Sequence, residues 1–377
     1  MTHFMNSDTA ITHPGNFIAS IPGVLGYYPQ ESVIIVTAYA EPGSSEALYG
    51  PVFRVDLSLA DRLQDVLDSV PAEDIMEAVG HFAILVTRIP NSKTARAAIN
   101  TLLELTDPSG LPLVDACWHA SEIANYTPYS LIFGPPMDQL IRAGVPDSWV
   151  SGTVGSVMAQ PTMQALIAQG ALPELDREDT RAYFEPEAGQ WEATSAQCTQ
   201  LRRRGARLVA HIALYPEKVR TEMERACEIL KDVTPQPLIG QTCRQTIEEV
   251  FGTTENAELI ATTLTKSKLR DCLFNVALEH PLETGVAMLT IARAYSGAIR
   301  ANALSIWAVI AVKLKLSNWA TAALESAEDA LPNHSLSYIL KQLLRAGQHE
   351  NMLETAAFGC DEMWEELADL EPETREY

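Results

Sequence analysis

The sequence predicts an α/β N-terminal domain, a mixed sheet with flanking helices, followed by an all-helical C-terminal domain with helical-hairpin, TPR-like packing. Three observations carry this prediction. Up to about residue 135, β-branched and aromatic runs alternate with helical periodicity. Over 136–194 Gly, Pro and Ser become frequent and periodicity fades. From about residue 195 helical periodicity resumes and is broken only by short turns. The expected organisation is therefore an α/β domain over 12–135 and an irregular connecting region or surface arm over 136–194. A helical domain over 195–360 and an acidic tail over 361–377 follow. A chain of 377 residues can bury two or three such cores.

The elements follow in order. GVLGYYPQES has two glycines, Gly23 and Gly26, but they precede the strand SVIIVTAYA. A dinucleotide grip needs glycines after a strand and at the opening of a helix, so a turn that ends a short helix is the better reading. The smaller alternative is a loop presenting backbone N–H groups to an anion beside the sheet. PVFRVDLS reads as a second strand, joined to the first by too few residues for a helical crossover, hence antiparallel to it. SLADRLQDVLDSV predicts a helix with Leu59, Leu63, Val66, Leu67 and Val70 on one face, and residues 71–80 a further short helix. HFAILVTRIP is a buried strand. SKTARAAINTLLELTDPSG is a helix with a clean stop, PLVDACWHA another strand and YSLIF a further one. Strands separated by helices favour substantially parallel pairing with both faces covered. A helix is expected over about 162–169.

In the helical part, residues 300–333 form a 34-residue helix–turn–helix ending in Pro-Asn, the length and outline of a tetratricopeptide unit. Leu304 and Trp307 are expected to pack the first helix. Ala320, Ala323, Leu324, Ala327 and Ala330 are expected to pack the second. His334 or Ser335 is placed to cap the next helix. ALSIWAVIAVKL is too short to span hydrocarbon and is interrupted by Lys313, so it reads as a buried helix. In the tail, Met363, Trp364 and Leu367 can share one face of a last helix.

The charge balance, 27 basic against 49 acidic residues for a net of −22, repels phosphate backbones and disfavours nucleic acid as a partner. From Asp361 onward there are eight acids and one arginine. The run Arg202, Arg203, Arg204 and Arg207, with Lys266, Lys268 and Arg270, is read as balancing neighbouring carboxylates. The six cysteines, Cys117, Cys198, Cys227, Cys243, Cys272 and Cys360, are at least 16 residues apart with no CxxC pair. They read as reduced thiols of a cytoplasmic protein without structural zinc. No basic segment followed by an apolar core opens the chain, so no signal peptide is expected.

Candidate ligand-binding residues are Tyr27, Tyr28, Glu31, Arg54, Asp56 and Asp115. Arg54 and Asp56 share one side of a strand, because the side-chain period is two. Asp115 lies near the end of a predicted strand, where α/β sheets place ligands. Cys117 and His119 are a nucleophile–base or metal-ligand pair in outline, but no third partner is visible, and a buried thiol beside a structural histidine is preferred. No cofactor or metal is expected.

HPGNFIASIPGVLGYYPQESVIIV, with its proline-containing helix, leucine-glycine turn and strand after Glu31 and Ser32, resembles the opening signature of the actinobacterial DUF4192 family. GPVFRVDLS resembles that family's arginine-valine-aspartate strand, and NWATAALESAEDALPNHSLSYILKQLLRAG its closing helices. The resemblance covers most of 14–347. It implies a cytoplasmic setting in an actinobacterium or its bacteriophage, and it supplies no catalytic residue to carry over. The function the sequence favours is a non-enzymatic protein-interaction or assembly module, with a protein partner or self-association as its partner class and no membrane. The alternative is a small-molecule-binding or enzymatic α/β protein with a cleft at the strand ends.

Overall fold

The computed structural model describes residues 13–40, 47–68, 75, 78–168, 170–174, 177–186, 192–239 and 245–368. The chain divides into two compact units. The first comprises 1–166, 173–177 and 345–347, and the second 167–172, 178–344 and 348–377.

The first unit opens with helix α1, Pro14–Leu25. Pro14 presets the first helical turn. Gly26 ends the helix in the left-handed region at φ 73°, and its N–H donates to Pro22 O. Strands β1 (Ser32–Ala40) and β2 (Ala47–Asp56) form the expected antiparallel pair, with Ser32 opposite Asp56 and Ile34 opposite Arg54. A 3-10 turn, Leu57–Arg62, then leads into the short helix α2, Leu63–Leu67. Here the expectation of one continuous α-helical face fails. Three residues per turn align Leu57, Ala60 and Leu63 on the core, and Leu59 is left 45% exposed. Val70 and most of the helix expected over 71–80 lie outside the described residues.

Strand β3 (Gly80–Val86), helix α3 (Lys93–Glu104) and strand β4 (Ala116–Ala120) make one crossover unit, and β3 and β4 run parallel. Ser92 starts α3 by accepting the N–H of Ala95. Strands β5 (Pro128–Phe133) and β6 (Ser151–Thr153) complete the order β2-β1-β3-β4-β5-β6. The sheet is therefore mixed. The expectation of substantially parallel pairing holds for β3 and β4 alone, because a helix separates those two and the other neighbours pair antiparallel.

Alternation assigns the faces. Val33, Ile35, Ala83, Leu85 and Cys117 pack with Leu57, Leu63 and the α3 residues Ala95, Ala98 and Leu102. On the other face Phe17 of α1 meets Phe82 and Trp118 edge-on at 6.3 and 6.1 Å. The stretch after β5, expected as part of a connecting region or arm, contributes helix α4 (Met137–Arg142), β6 and the buried Trp149, Val154, Val157 and Met163. Trp118 Nε1 donates to Trp149 O at 2.8 Å. After the 3-10 turn Pro161–Met163 comes helix α5, Gln164–Ala168.

The second unit is helical, and among the described residues no strand follows Thr153. Its helices are α6 (Arg177–Ala182), α7 (Ser195–Ile212), α8 (Pro216–Lys231), α9 (Ile247–Phe251), α10 (Thr254–Thr263), α11 (Ser267–Asp271) and α12 (Phe274–Glu279). They continue with α13 (Pro281–Ala294), α14 (Ala298–Lys313), α15 (Ser317–Ala330), α16 (Ser335–Arg345) and α17 (His349–Ala368). Thr194 with Gln197 and Thr246 with Glu249 form capping boxes at the starts of α7 and α9. α14 is buried on every side from Ile299 to Val312, Arg300, Asn302 and Ser305 included, and it packs against α13 and α15. The α14–α15 hairpin buries Leu304, Trp307, Ala320, Ala323, Leu324 and Ala327, while Ala330 is half-buried. In the last helix Leu367 is buried and Met363 and Trp364 half-buried. Among the described residues no helix is long and apolar enough to cross a membrane.

Candidate functional site

The polar residues at one end of the sheet meet around Glu31. Antiparallel pairing of Ser32 with Val86 continues outward to set Glu31 beside Thr87. Glu31 is held at φ 39°, a left-handed backbone that costs a side-chain-bearing residue about 1–2 kcal/mol. Its groups bond to both neighbouring chain segments. The carbonyl accepts from Leu57 N at 2.8 Å. Oε2 accepts from Thr87 Oγ1 at 2.7 Å, and Oε1 from Arg88 N at 3.1 Å.

Beside it, Arg54 donates from Nε to Ser32 Oγ at 2.9 Å and pairs with Asp56 at 2.6 Å. Ser32 Oγ donates to Gln30 O at 2.5 Å. On the β3 side Arg88 pairs with Glu122 at 3.1 Å, and His119 Nε2 lies 2.9 Å from Thr87 O. Arg88 and Glu122 are more than half exposed, so their pair contributes about 0–1 kcal/mol. Arg54 is largely buried, so its fixed guanidinium is the better-defined charge. The arrangement gathers two arginines, three carboxylates and the buried hydroxyls of Ser32 and Thr87 at the end of the parallel strands.

The structure thus gathers Glu31, Arg54 and Asp56. It does not bring Asp115 to them. Asp115 precedes β4 and sits at the other end of β3, where its Oδ2 accepts from His81 N at 2.8 Å and its N–H donates to His81 O. Five residues of strand, roughly 17 Å, separate His81 from Val86. β4 begins at Ala116, four residues after the start of the stretch PLVDACWHA expected as a strand, so Asp115 lies just before its N-terminal end. Tyr27 and Tyr28 lie against Glu174: Tyr27 is buried and bridges it, and Tyr28 N donates to Glu174 O at 2.9 Å. Thr87, Arg88 and Glu122 escaped sequence reading. Their one signal is position, as polar residues directly after the strands FAILV and ACWHA.

Cys117 is fully buried beneath α3, and burial pushes its thiol well above the usual range, so it is not a thiolate nucleophile. His81 is buried too, its Nε2 has no hydrogen-bond partner, and burial pushes its pKa down to about 4. In the second unit a groove of about 280 Å³ is lined by Glu224, Cys227, Glu228, Cys272, Glu279 and Trp364, among others. Burial pushes the Cys227 thiol up to about 12, and that of Cys272 upward as well. Cys117, Cys198, Cys227, Cys272 and Cys360 are free, and Cys243 lies outside the described residues. Among the described residues no group of three or more His, Cys, Asp or Glu is placed to hold a metal ion. The cationic runs are partly neutralised: Arg204 pairs with Glu222, Lys268 with Glu366 and Arg270 with Asp271.

The arginine-valine-aspartate strand and the Gly26 turn thus have defined structural places. The family model described as "Domain of unknown function (DUF4192)" matches residues 14–351. The chain belongs to the DUF4192 family. No curated protein and no solved structure matches it. The match runs from the first residue of α1 to the first turn of α17 and so takes in both units of this DUF4192 protein.

Proposed function

We propose that this DUF4192 protein is a protein-interaction or assembly module acting through its helical unit, in the cytoplasm. The supporting observation is the outer face of α16. That helix buries Ser337 and Leu340 but leaves Tyr338 59% and Ile339 53% exposed. Covering two such half-exposed side chains contributes roughly 2–3 kcal/mol, enough for an anchor but well short of a whole interface. On this reading the α14–α15 hairpin stacks in the TPR manner and α16 presents the contact. A face of a few apolar residues between charged ones suits an acidic chain, whose copies or acidic partners otherwise repel. Light scattering at rising protein concentration, with pull-down by wild type and by Tyr338→Lys/Ile339→Glu, tests it. Self-association or partner capture should be lost in the double variant. A strict monomer, or capture unchanged by the double variant, would rule the reading out.

A second reading, ligand binding at the strand ends, is favoured by the left-handed backbone of Glu31 beside the ordered Arg54, since strained residues cluster where ligands are handled. A small metabolite with an anionic group for Arg88 and donor groups for the exposed carboxylates of Asp56 and Glu122 is the class of ligand that these mixed charges suit. Thermal-shift screening with nucleotides and sugar phosphates should give stabilisation that Arg88→Ala abolishes. No shift with any of them removes this reading.

A further inference from the structure

α16 begins at a buried histidine. His334 Nδ1 accepts the Ser337 N–H at 3.3 Å and lies 3.1 Å from Ser337 Oγ. His334 Nε2 lies 3.0 Å from Asn302 Oδ1 on α14. The Asn302 amide is oriented independently, because its Nδ2 donates to Leu264 O at 2.8 Å and its Oδ1 accepts from Arg270 Nη1 at 2.8 Å. An amide oxygen carries no hydrogen, so the proton shared with Asn302 must sit on His334 Nε2. The ring is therefore neutral, with the Nδ1 lone pair free to cap the helix. A proton added at Nδ1 would turn that acceptor into a donor facing the Ser337 N–H. It would also set a second cation beside Arg270, which is 8% exposed.

We propose that His334 is an acid-sensitive latch whose protonation removes the Nδ1 cap on the Ser337 N–H, loosens the first turn of α16 and so alters display of the Tyr338–Ile339 face. The consequence for display rests on the interaction reading above; the chemistry of the latch does not. Among the described residues, Arg270 of α11 is the charged group that acts on the ring, with Asp271 as its counter-ion at 2.5 Å. α14 contributes the neutral Asn302, the end of α10 a backbone carbonyl, and α16 itself Ser337. Burial first, and Arg270 second, hold the ring below the usual histidine range. The unfolded turn, with a histidine of about 6.5, then binds more protons than the folded one. The cap is complete above pH ~6.5 and weakens as pH falls below it, until the folded ring itself takes up the proton.

Hydrogen exchange of the full chain, followed by mass spectrometry on peptides covering 335–345 between pH 7.5 and 5, reads this directly once intrinsic exchange rates are divided out. Wild type should lose protection progressively as pH falls below ~6.5, by at most about tenfold per pH unit. His334→Asn, which keeps a capping side chain without a titrating group, should give a flat profile. His81 and His349 also lie below the usual range, and the variant comparison separates their contribution. A flat wild-type profile overturns the latch whether or not the variant folds, and so does an equal slope in His334→Asn. Light scattering of the same samples keeps the two readings apart. Protection lost in acid without association at any pH sustains the latch and removes the interaction reading. Association with pH-independent protection does the reverse.

Discussion

Replacing Glu31 separates the two things that residue does. Glu31→Ala deletes the acceptor for Thr87 Oγ1 and Arg88 N but keeps a Cβ on a backbone at φ 39°. Thr87 is 1% exposed, so its hydroxyl loses its acceptor inside the protein at about 1–3 kcal/mol. Arg88 is exposed, so water replaces the bond to its N–H at little cost. Glu31→Ala should therefore destabilise the first unit by about 2 kcal/mol. Glu31→Gly loses the same bonds but relieves the left-handed backbone, worth about 1–2 kcal/mol, against about 0.5–1 kcal/mol for the freedom glycine gains in the unfolded chain. The glycine variant should thus be the more stable of the two by roughly 0.5–1 kcal/mol. That order is the reverse of the usual one at an ordinary strand residue. Urea denaturation with matched slopes resolves a difference of this size. Glu31→Gly being less stable than Glu31→Ala would refute the left-handed backbone at residue 31. Glu31→Gln, which keeps one acceptor oxygen and turns the other into an N–H donor, should fall between wild type and Glu31→Ala.

The other expectations concern close packing, pH and thiols. Gly23→Ala would set a Cβ 2.7 and 2.8 Å from the Thr162 carbonyl carbon and oxygen, which are backbone and cannot rotate away, so a loss of about 1–3 kcal/mol is expected in thermal melts. Gly26→Ala should lose about 1–2 kcal/mol through its φ of 73° alone, and a Gly26 variant as stable as wild type would contradict the left-handed cap. His81 has a folded pKa of about 4, so the unfolded chain binds the extra proton and stability should fall as pH drops from about 6.5 toward 4. The full effect is about 3 kcal/mol, and His81→Gln should remove that slope. In native protein at pH 8, Cys117 should resist iodoacetamide for as long as the first unit stays folded, while unfolding without reductant should expose all six thiols of the sequence. Prompt labelling of native Cys117, or fewer than six thiols after unfolding, would be the contrary result.

What could be read in advance was local. The runs Val33–Val36 and Phe82–Val86 announce strands because both faces of the sheet are covered, so every second residue need not be polar. The apolar run of α14 reads as a buried helix because no side of it meets water. His334 reads as a cap because Pro332 and Asn333, the latter at φ 63°, must turn the chain just before it. Short elements carried too little period to be read: a 3-10 turn displaced Leu59 from the core, and the three residues of β6 left no pattern to mark it. The candidate site was half legible for a different reason. Arg54 and Asp56 lie two apart on one strand, so their pairing follows from the pleat. The partners of Glu31 depend on register, since Ser32 opposite Val86 is what brings Thr87, 56 residues away in sequence, to its carboxylate. A slip of one residue would turn the side chains of β1 to the opposite faces and leave that carboxylate without Thr87. The same register sends Asp115 to the far end of the sheet through its bonds to His81. Strand order and register therefore decide which charged residues form a site here, and neither is written within any one segment of the chain.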